Sequence, residues 1–166
     1  MPLRLLDEIK QSKPFTSPAQ EAFLSIERTS AVLGHAFAEF VKPFGITPTQ
    51  FNVLRILRGA GKDGLPTLEI AERMIEQTPG ITRLIDRLEA KKLVARERSS
   101  TDRRCVYCRI TAAGLELLGR LDAPVEAAAG DSLTSLKKRE LAQLVELLDR
   151  ARTRINQQFI ERRRTA

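Results

Sequence analysis

The stretch Gly80 to Lys92, GITRLIDRLEAKK, lays two stripes along one predicted helix. Ile81, Leu84, Ile85 and Leu88 recur at steps of three and four and share a face, while Arg83, Arg87 and Lys91 stand four apart on another. The first face suits burial and the second makes a cationic rail. A charged row alone equally describes a solvated surface, so the flanking segments decide. Upstream, Thr67 is expected to cap a short helix carrying Leu68, Ile70, Ala71 and Met74, and Gln77-Thr78-Pro79-Gly80 turns into the cationic helix. Two short helices around a tight turn outline a helix-turn-helix.

Downstream the helix stops near Lys92. Leu93 to Arg98 and Cys105 to Thr111 have the composition and alternation of two strands, joined by Ser99-Ser100-Thr101-Asp102-Arg103-Arg104. The expected product is a hairpin with arginines at its tip, with Val106, Cys108 and Ile110 facing one way and Cys105, Tyr107 and Arg109 the other. Between Glu76 and Ala112, nine basic residues (Arg83, Arg87, Lys91, Lys92, Arg96, Arg98, Arg103, Arg104, Arg109) face five acidic ones (Glu76, Asp86, Glu89, Glu97, Asp102). This segment therefore holds +4 of the chain's net charge of +7. Together with a pI near 9.9, that balance favours an anionic partner, nucleic acid before an acidic membrane surface.

Further upstream, Thr47-Pro48-Thr49-Gln50 supplies a capping hydroxyl, a proline at the first helical position and a glutamine able to bond back to the cap. Phe51, Val53, Leu54, Ile56 and Leu57 make the helix that follows nearly apolar all round, so it is expected to be buried to about Arg58, before Gly59, Gly61 and Gly64 mark a loop. Ahead of it, Ser17 and Pro18 start a long helix to about Val41, with Phe23, Ile26, Ser30, Leu33, Phe37 and Phe40 as an apolar seam. Residues 1–16 read as an arm with one small amphipathic helix. Toward the C-terminus, Thr111 caps a helix with Leu115, Leu118, Leu121 and Val125, bent at Pro124. A last helix starts near Lys137 and repeats the seam with Leu141, Leu144, Leu148, Ala151, Ile155 and Phe159.

With 166 residues and 42% hydrophobic content the chain suits one compact domain. That leaves little interior for two long seams, which implies that they bury against a second copy, or else pack on each other within one chain. No apolar run reaches membrane-spanning length, and Asp7, Glu8 and Lys10 interrupt what would be a secretory leader, so a cytoplasmic protein with no membrane partner is expected. Cys105 and Cys108, three apart on one strand, lie roughly 10 Å apart, beyond the ~7 Å reach of a disulfide. Cys108 reads as a small buried hydrophobe and Cys105 as an exposed thiol beside Arg104. The lone His35 lacks the companions a metal site needs, and the chain shows no phosphate-binding glycine loop and no nucleophile set. No metal, no cofactor and no catalysis are expected.

In order and spacing, ITPTQFNVLRIL (46–57), LEIAERMIEQTPGITRLIDRLEAKKLVARE (68–97), TDRR (101–104) and RITAAG (109–114) resemble the MarR family of bacterial winged-helix transcription regulators. The likeness runs from Ser17 to about Ile160. It implies a mainly α fold with a small β-hairpin wing, divided into an N-terminal arm (1–16), a helical dimerisation region (17–45 and 112–166) and a winged helix-turn-helix DNA-binding lobe (46–111). It implies further a homodimer on double-stranded DNA, acting as a repressor and released by a small aromatic or lipophilic effector.

Carried over by position, Gln77, Thr78, Gly80, Thr82, Arg83 and Arg87 match the part of the family's recognition helix that enters the major groove. There arginines read guanine edges or hold phosphates, and a helix N-terminus meets a phosphate. Arg104 matches the wing arginine of the minor groove, Asp102 the acid that orients it, and Arg103 a phosphate contact. His35 and Phe37, with Phe51 and Leu54 behind them, are the candidate effector pocket. The chain departs from the family at Ile75-Glu76, where a small residue usually makes the turn, and it has no first-helix cysteine of the oxidant-sensing kind. Two heads about one helical turn (~34 Å) apart would select a pseudo-palindrome, and an effector need only favour a mis-spaced state by ~1–3 kcal/mol. The competing reading of the same residues is a winged-helix module that docks an acidic protein.

Overall fold

The computed structural model describes residues 4–76, 80–98 and 106–165, with side-chain surroundings as far as Gln157. The chain forms two compact units, Met1–Asp122 and Ala123–Ala166. In order the elements are α1 (Leu5–Glu8), α2 (Pro18–Val41), α3 (Pro48–Ala60), β1 (Leu65–Pro66), α4 (Thr67–Arg73), α5 (Ile81–Ala90), β2 (Val94–Arg98), β3 (Val106–Ile110), α6 (Ala112–Ser132) and α7 (Lys138–Thr165). The fold is the expected one, mainly helical with a small wing, although its sheet has three strands where two were expected.

α3 is the hub of the first unit and contacts α2, α4, α5 and β3. The Thr47–Gln50 capping box starts it, the Gln50 N–H donating to Thr47 Oγ1 and the Thr47 N–H to Gln50 Oε1, both at 3.2 Å. Such a cap is worth about 1 kcal/mol. Val53, Leu54 and Leu57 are fully buried, as are Ile70 of α4, Ile85 and Leu88 of α5, Cys108 of β3, and Leu118 and Leu121 of α6. The helix runs past the expected stop at Arg58 to Ala60. It is not apolar all round, because Arg55 and Gly59 reach solvent, and the Arg55 guanidinium lies 5.9 Å from the Phe51 ring centroid.

The strand missed in the sequence is β1. Its two residues pair antiparallel with β3 (Leu65 opposite Cys108, Pro66 opposite Tyr107), giving the order β1-β3-β2. Gly64 makes this approach possible: its φ is +68°, and a Cβ there would collide with the Cys108 carbonyl. With β1 leading into α4, Pro66 takes the cap position expected of Thr67. The Thr67 hydroxyl instead lies 3.7 Å from Cys108 Sγ. Leu68, expected inside, is 78% exposed, and α4 is buried through Ile70 and the following Met74.

The end of α5 is built around a residue in the left-handed region. Lys92, at φ +58°, occupies the position where glycine is usual. Its N–H donates to the Glu89 carbonyl (2.8 Å) and that of Leu93 to the Leu88 carbonyl (3.0 Å), the paired bonds of a Schellman motif. The Thr111 hydroxyl donates to the Lys92 carbonyl (2.7 Å) and accepts from the Gly114 N–H (3.1 Å), so one side chain closes α5 and caps α6 as expected. A Cβ on Gly114 would stand 2.5 Å from the Leu93 carbonyl oxygen. α6 continues through Pro124, with Leu117 buried and Leu115 exposed, the reverse of the emphasis in the sequence reading. Ser17 caps α2, accepting from the Gln20 N–H at 3.2 Å. The α2 seam is open in the single chain, with Phe23 61% exposed and Ile26 and Leu33 also exposed. In the second unit α7 begins at Lys138, where the Glu140 carboxylate accepts the Lys137 N–H at 2.7 Å. Val145, Leu147 and Ile155 along it are exposed.

Candidate nucleic-acid interface

α5 sorts its two faces as its spacing demands. Leu84, Ile85 and Leu88 are buried, and Thr82, Arg83, Asp86 and Arg87 are exposed. Gly80 precedes the helix at φ +87°, a conformation that strains side-chain-bearing residues, and turns the chain into its first residue. On the approach, the Ile75 N–H donates to Asn52 Oδ1 of α3 (3.0 Å), anchoring the turn, while the Ile75 side chain is 86% exposed. Gln77 and Thr78 lie outside the described residues, as do Asp102, Arg103, Arg104 and Cys105 of the expected wing tip.

The cations of the segment divide into two groups. Arg83, Arg87 and Arg98 are exposed, and no ion pair or hydrogen bond engages their side chains among the described residues. Lys91, counted in the rail from its spacing, reaches backward: its ammonium donates to the Gly45 carbonyl and to Gln50 Oε1 (3.3 Å), bracing α5 against the start of α3. Arg109 pairs with Glu97 (2.6 Å) and donates to the Asp63 carbonyl (3.4 Å). Arg96 pairs with Asp86 (2.5 Å) and Glu89 (3.2 Å) and donates to the Thr82 carbonyl (3.1 Å). Burial works against its charge, but the Asp86 hydrogen bond and the charges of Asp86 and Glu89 prevail and hold the guanidinium above its usual pKa. Spacing alone did not separate these groups, because strand residues such as Arg96 meet α5 only in three dimensions.

Of the candidate effector pocket, Phe37 packs edge-on to Phe51 with centroids 5.3 Å apart, Leu54 lies fully buried and His35 is exposed. A cleft of about 310 Å³ lies elsewhere in the first unit, lined by Phe44, Ile46, Lys91, Leu93, Leu117 and Arg120, and none of the four predicted pocket residues borders it. Among the described residues no three His, Cys, Asp or Glu side chains gather as a metal site, and no helix is long and apolar enough to cross a membrane. Cys108 is free and buried, as expected.

Comparison with known proteins places this geometry. The MarR family model matches residues 46–106, from just before α3 through β2 to the first residue of β3. The HTH-type transcriptional regulator MhqR of Bacillus subtilis is 27% identical over 135 residues, covering 81% of this chain and 92% of that protein. The crystal structure of a MarR transcription factor from Planctomyces limnophilus is 39% identical, with a TM-score of 0.64 over 82% of this chain and 98% of that one. The MepR–DNA complex of S. aureus superposes with a TM-score of 0.73 at 23% identity, covering 84% and 98% of the two chains.

Proposed function

The chain belongs to the MarR family of transcription regulators, with a winged helix as its DNA-binding part, and on that premise we propose that it is a homodimeric repressor that reads a pseudo-palindromic operator. The observation that carries this reading is α5: a helix whose inner face is buried and whose outer face offers Arg83 and Arg87, unpaired among the described residues. Thr82 and Gly80 stand beside them at the helix start, and Gln77 and Thr78 precede them in the chain. Asp102, Arg103 and Arg104 complete the proposed contact set from the wing. The structural neighbour MepR, which was crystallised with DNA, supports duplex DNA as the partner.

The dimer reading draws on the exposed seam of α2, where Phe23, Ile26 and Leu33 present more apolar surface than an isolated helix keeps in water. Residues 17–45 and 112–166 would form the dimer region and 46–111 the reading lobe. Two lobes in fixed register explain how a small contact set becomes specific, since each contributes only a few base-edge bonds. Effector release would act on the spacing of the lobes, with a small aromatic or lipophilic acid near Phe37 and Phe51 as the proposed trigger.

The test is operator binding by fluorescence anisotropy on duplexes from the region upstream of the chain's own gene. Arg83→Ala and Arg104→Ala are each expected to abolish specific binding while sedimentation still shows a dimer. Retained affinity in both variants would reject the contact set, and a wild-type dimer that captures an acidic protein but no duplex would favour the interaction-module reading.

A further inference from the structure

α5 carries two acids, Asp86 and Glu89, among its basic residues. Asp86 lies three residues after Arg83, and side chains at that spacing are neighbours on a helix surface and pair readily when opposite in charge. The default partner of Arg83 is therefore the carboxylate on its own helix. The structure shows a different pairing. Arg96 of β2 takes Asp86 Oδ1 at 2.5 Å and Glu89 Oε2 at 3.2 Å on one guanidinium nitrogen and donates to the Thr82 carbonyl from another at 3.1 Å. Its backbone N–H donates to Glu89 Oε1 at 3.3 Å. The Arg96 side chain is only 24% exposed, and its strand position is fixed by pairing with Cys108 of β3, which is fully buried. Arg96 is thus a counter-ion held in place by the sheet.

We propose that Arg96 acts as an internal clasp that withdraws both acids of α5 from its outer arginines, leaving Arg83 and Arg87 free to meet phosphates or bases. It is a positioning residue, since its bonds go to this chain and it works through Arg83. The proposal deepens the DNA-binding reading and rests on it. Two consequences follow physically. An arginine already paired with Asp86 must break that pair before it binds phosphate, and an unclasped pair of carboxylates on the reading face repels the duplex. Both raise the dissociation constant and lower the number of counterions released.

The experiment uses the full chain and a fluorescein-labelled 30-base-pair duplex of arbitrary sequence, titrated across a range of potassium chloride concentrations. Arg96→Gln is expected to bind about tenfold more weakly, with a salt slope smaller by about 0.9, the share of one phosphate contact. Neutralising the acids in the same background (Asp86→Asn and Glu89→Gln with Arg96→Gln) is expected to return affinity to within about threefold of wild type. Loss of structure alone would not be rescued by deleting two further charges. Should Arg96→Gln fail to fold, Asp86→Asn with Arg96 intact carries the test, and binding as tight as wild type or tighter is expected. Arg96→Gln with unchanged affinity and slope, an unrescued triple variant, or a weakened Asp86→Asn would each overturn the clasp. A wild-type chain that binds no duplex would overturn the DNA-binding reading itself, an outcome distinct from any pattern among the variants.

Discussion

α2 and α5 carry the same kind of apolar stripe, repeated at steps of three and four, yet the two stripes end in different places. That of α5 is buried within its own chain, with Ile85 and Leu88 at no exposure, whereas that of α2 lies open from Phe23 to Leu33. A stripe states that a helix has a partner, and only packing states which one. α5 finds α3, α4 and β2 around it. α2 meets α3 and the turn before it through its last turns, near Phe37, Phe40 and Val41. One stripe therefore serves folding, and the other is left open in the single chain.

The largest effect expected is in the lobe. Ile85→Ala removes a fully buried side chain, and such truncations cost about 2–5 kcal/mol. Urea unfolding followed by circular dichroism is expected to show an unfolding free energy lowered by that amount, with DNA binding lost in parallel. A change below about 1 kcal/mol would mean that α5 is not packed as described. The matching change on α2, Phe23→Asp, places a charge on the open seam and is expected to leave the lobe's own unfolding nearly unaltered. It should weaken the proposed dimer by about 2 kcal/mol or more, the scale of an interface anchor, read as a shift toward monomer in sedimentation equilibrium. Equal effects of the two substitutions on lobe stability would erase the distinction between the stripes.

The elements that local chemistry controls were legible in the sequence. The Thr47–Gln50 box, the Ser17 and Thr111 caps, both strands of the hairpin and the sorting of α5 into two faces each follow from residues within one or two turns of each other. What was not legible depends on meetings across the chain. β1 is two residues long, too short for any alternation, and exists because β3 offers an edge that Gly64 lets it reach. Once β1 forms, Thr67 loses its capping place and Leu68 turns to solvent. Lys91 looked like the third member of a rail by spacing but is drawn back to Gly45, and Arg96 looked like one more surface cation yet neutralises two acids. Charge counting over 76–112 therefore overstated the number of free cations on the described part of the face, where Arg83, Arg87 and Arg98 are the unengaged arginines. The end of α5 near Lys92 was legible, but the left-handed conformation that Lys92 adopts there in place of a glycine was not.

The smallest effect expected concerns the exposed ion pair between Arg58, near the end of α3, and Asp122 of α6, 2.8 Å apart. The Arg58 hydrogen bond, opposed by a little desolvation and reinforced by the charges of Arg58 and Arg55, holds the Asp122 carboxyl below the usual carboxylate range. A carboxyl depressed in the folded state contributes stability that is fully present above its unfolded pKa of about 3.9 and is lost as pH falls through the lower folded value. Asp122→Asn is therefore expected to lower the Tm slightly at pH 7, with the gap to wild type closing as pH drops below about 4. Because the pair is solvent-screened, the shift should also shrink in high salt. The same substitution tests the stripe comparison at its margin, since α6 enters the lobe through the buried Leu117, Leu118 and Leu121 just before this pair. If α6 is anchored by those leucines, losing the ion pair leaves lobe unfolding cooperative. A biphasic transition in Asp122→Asn would show instead that the charge pair, rather than apolar burial, holds α6 to α3.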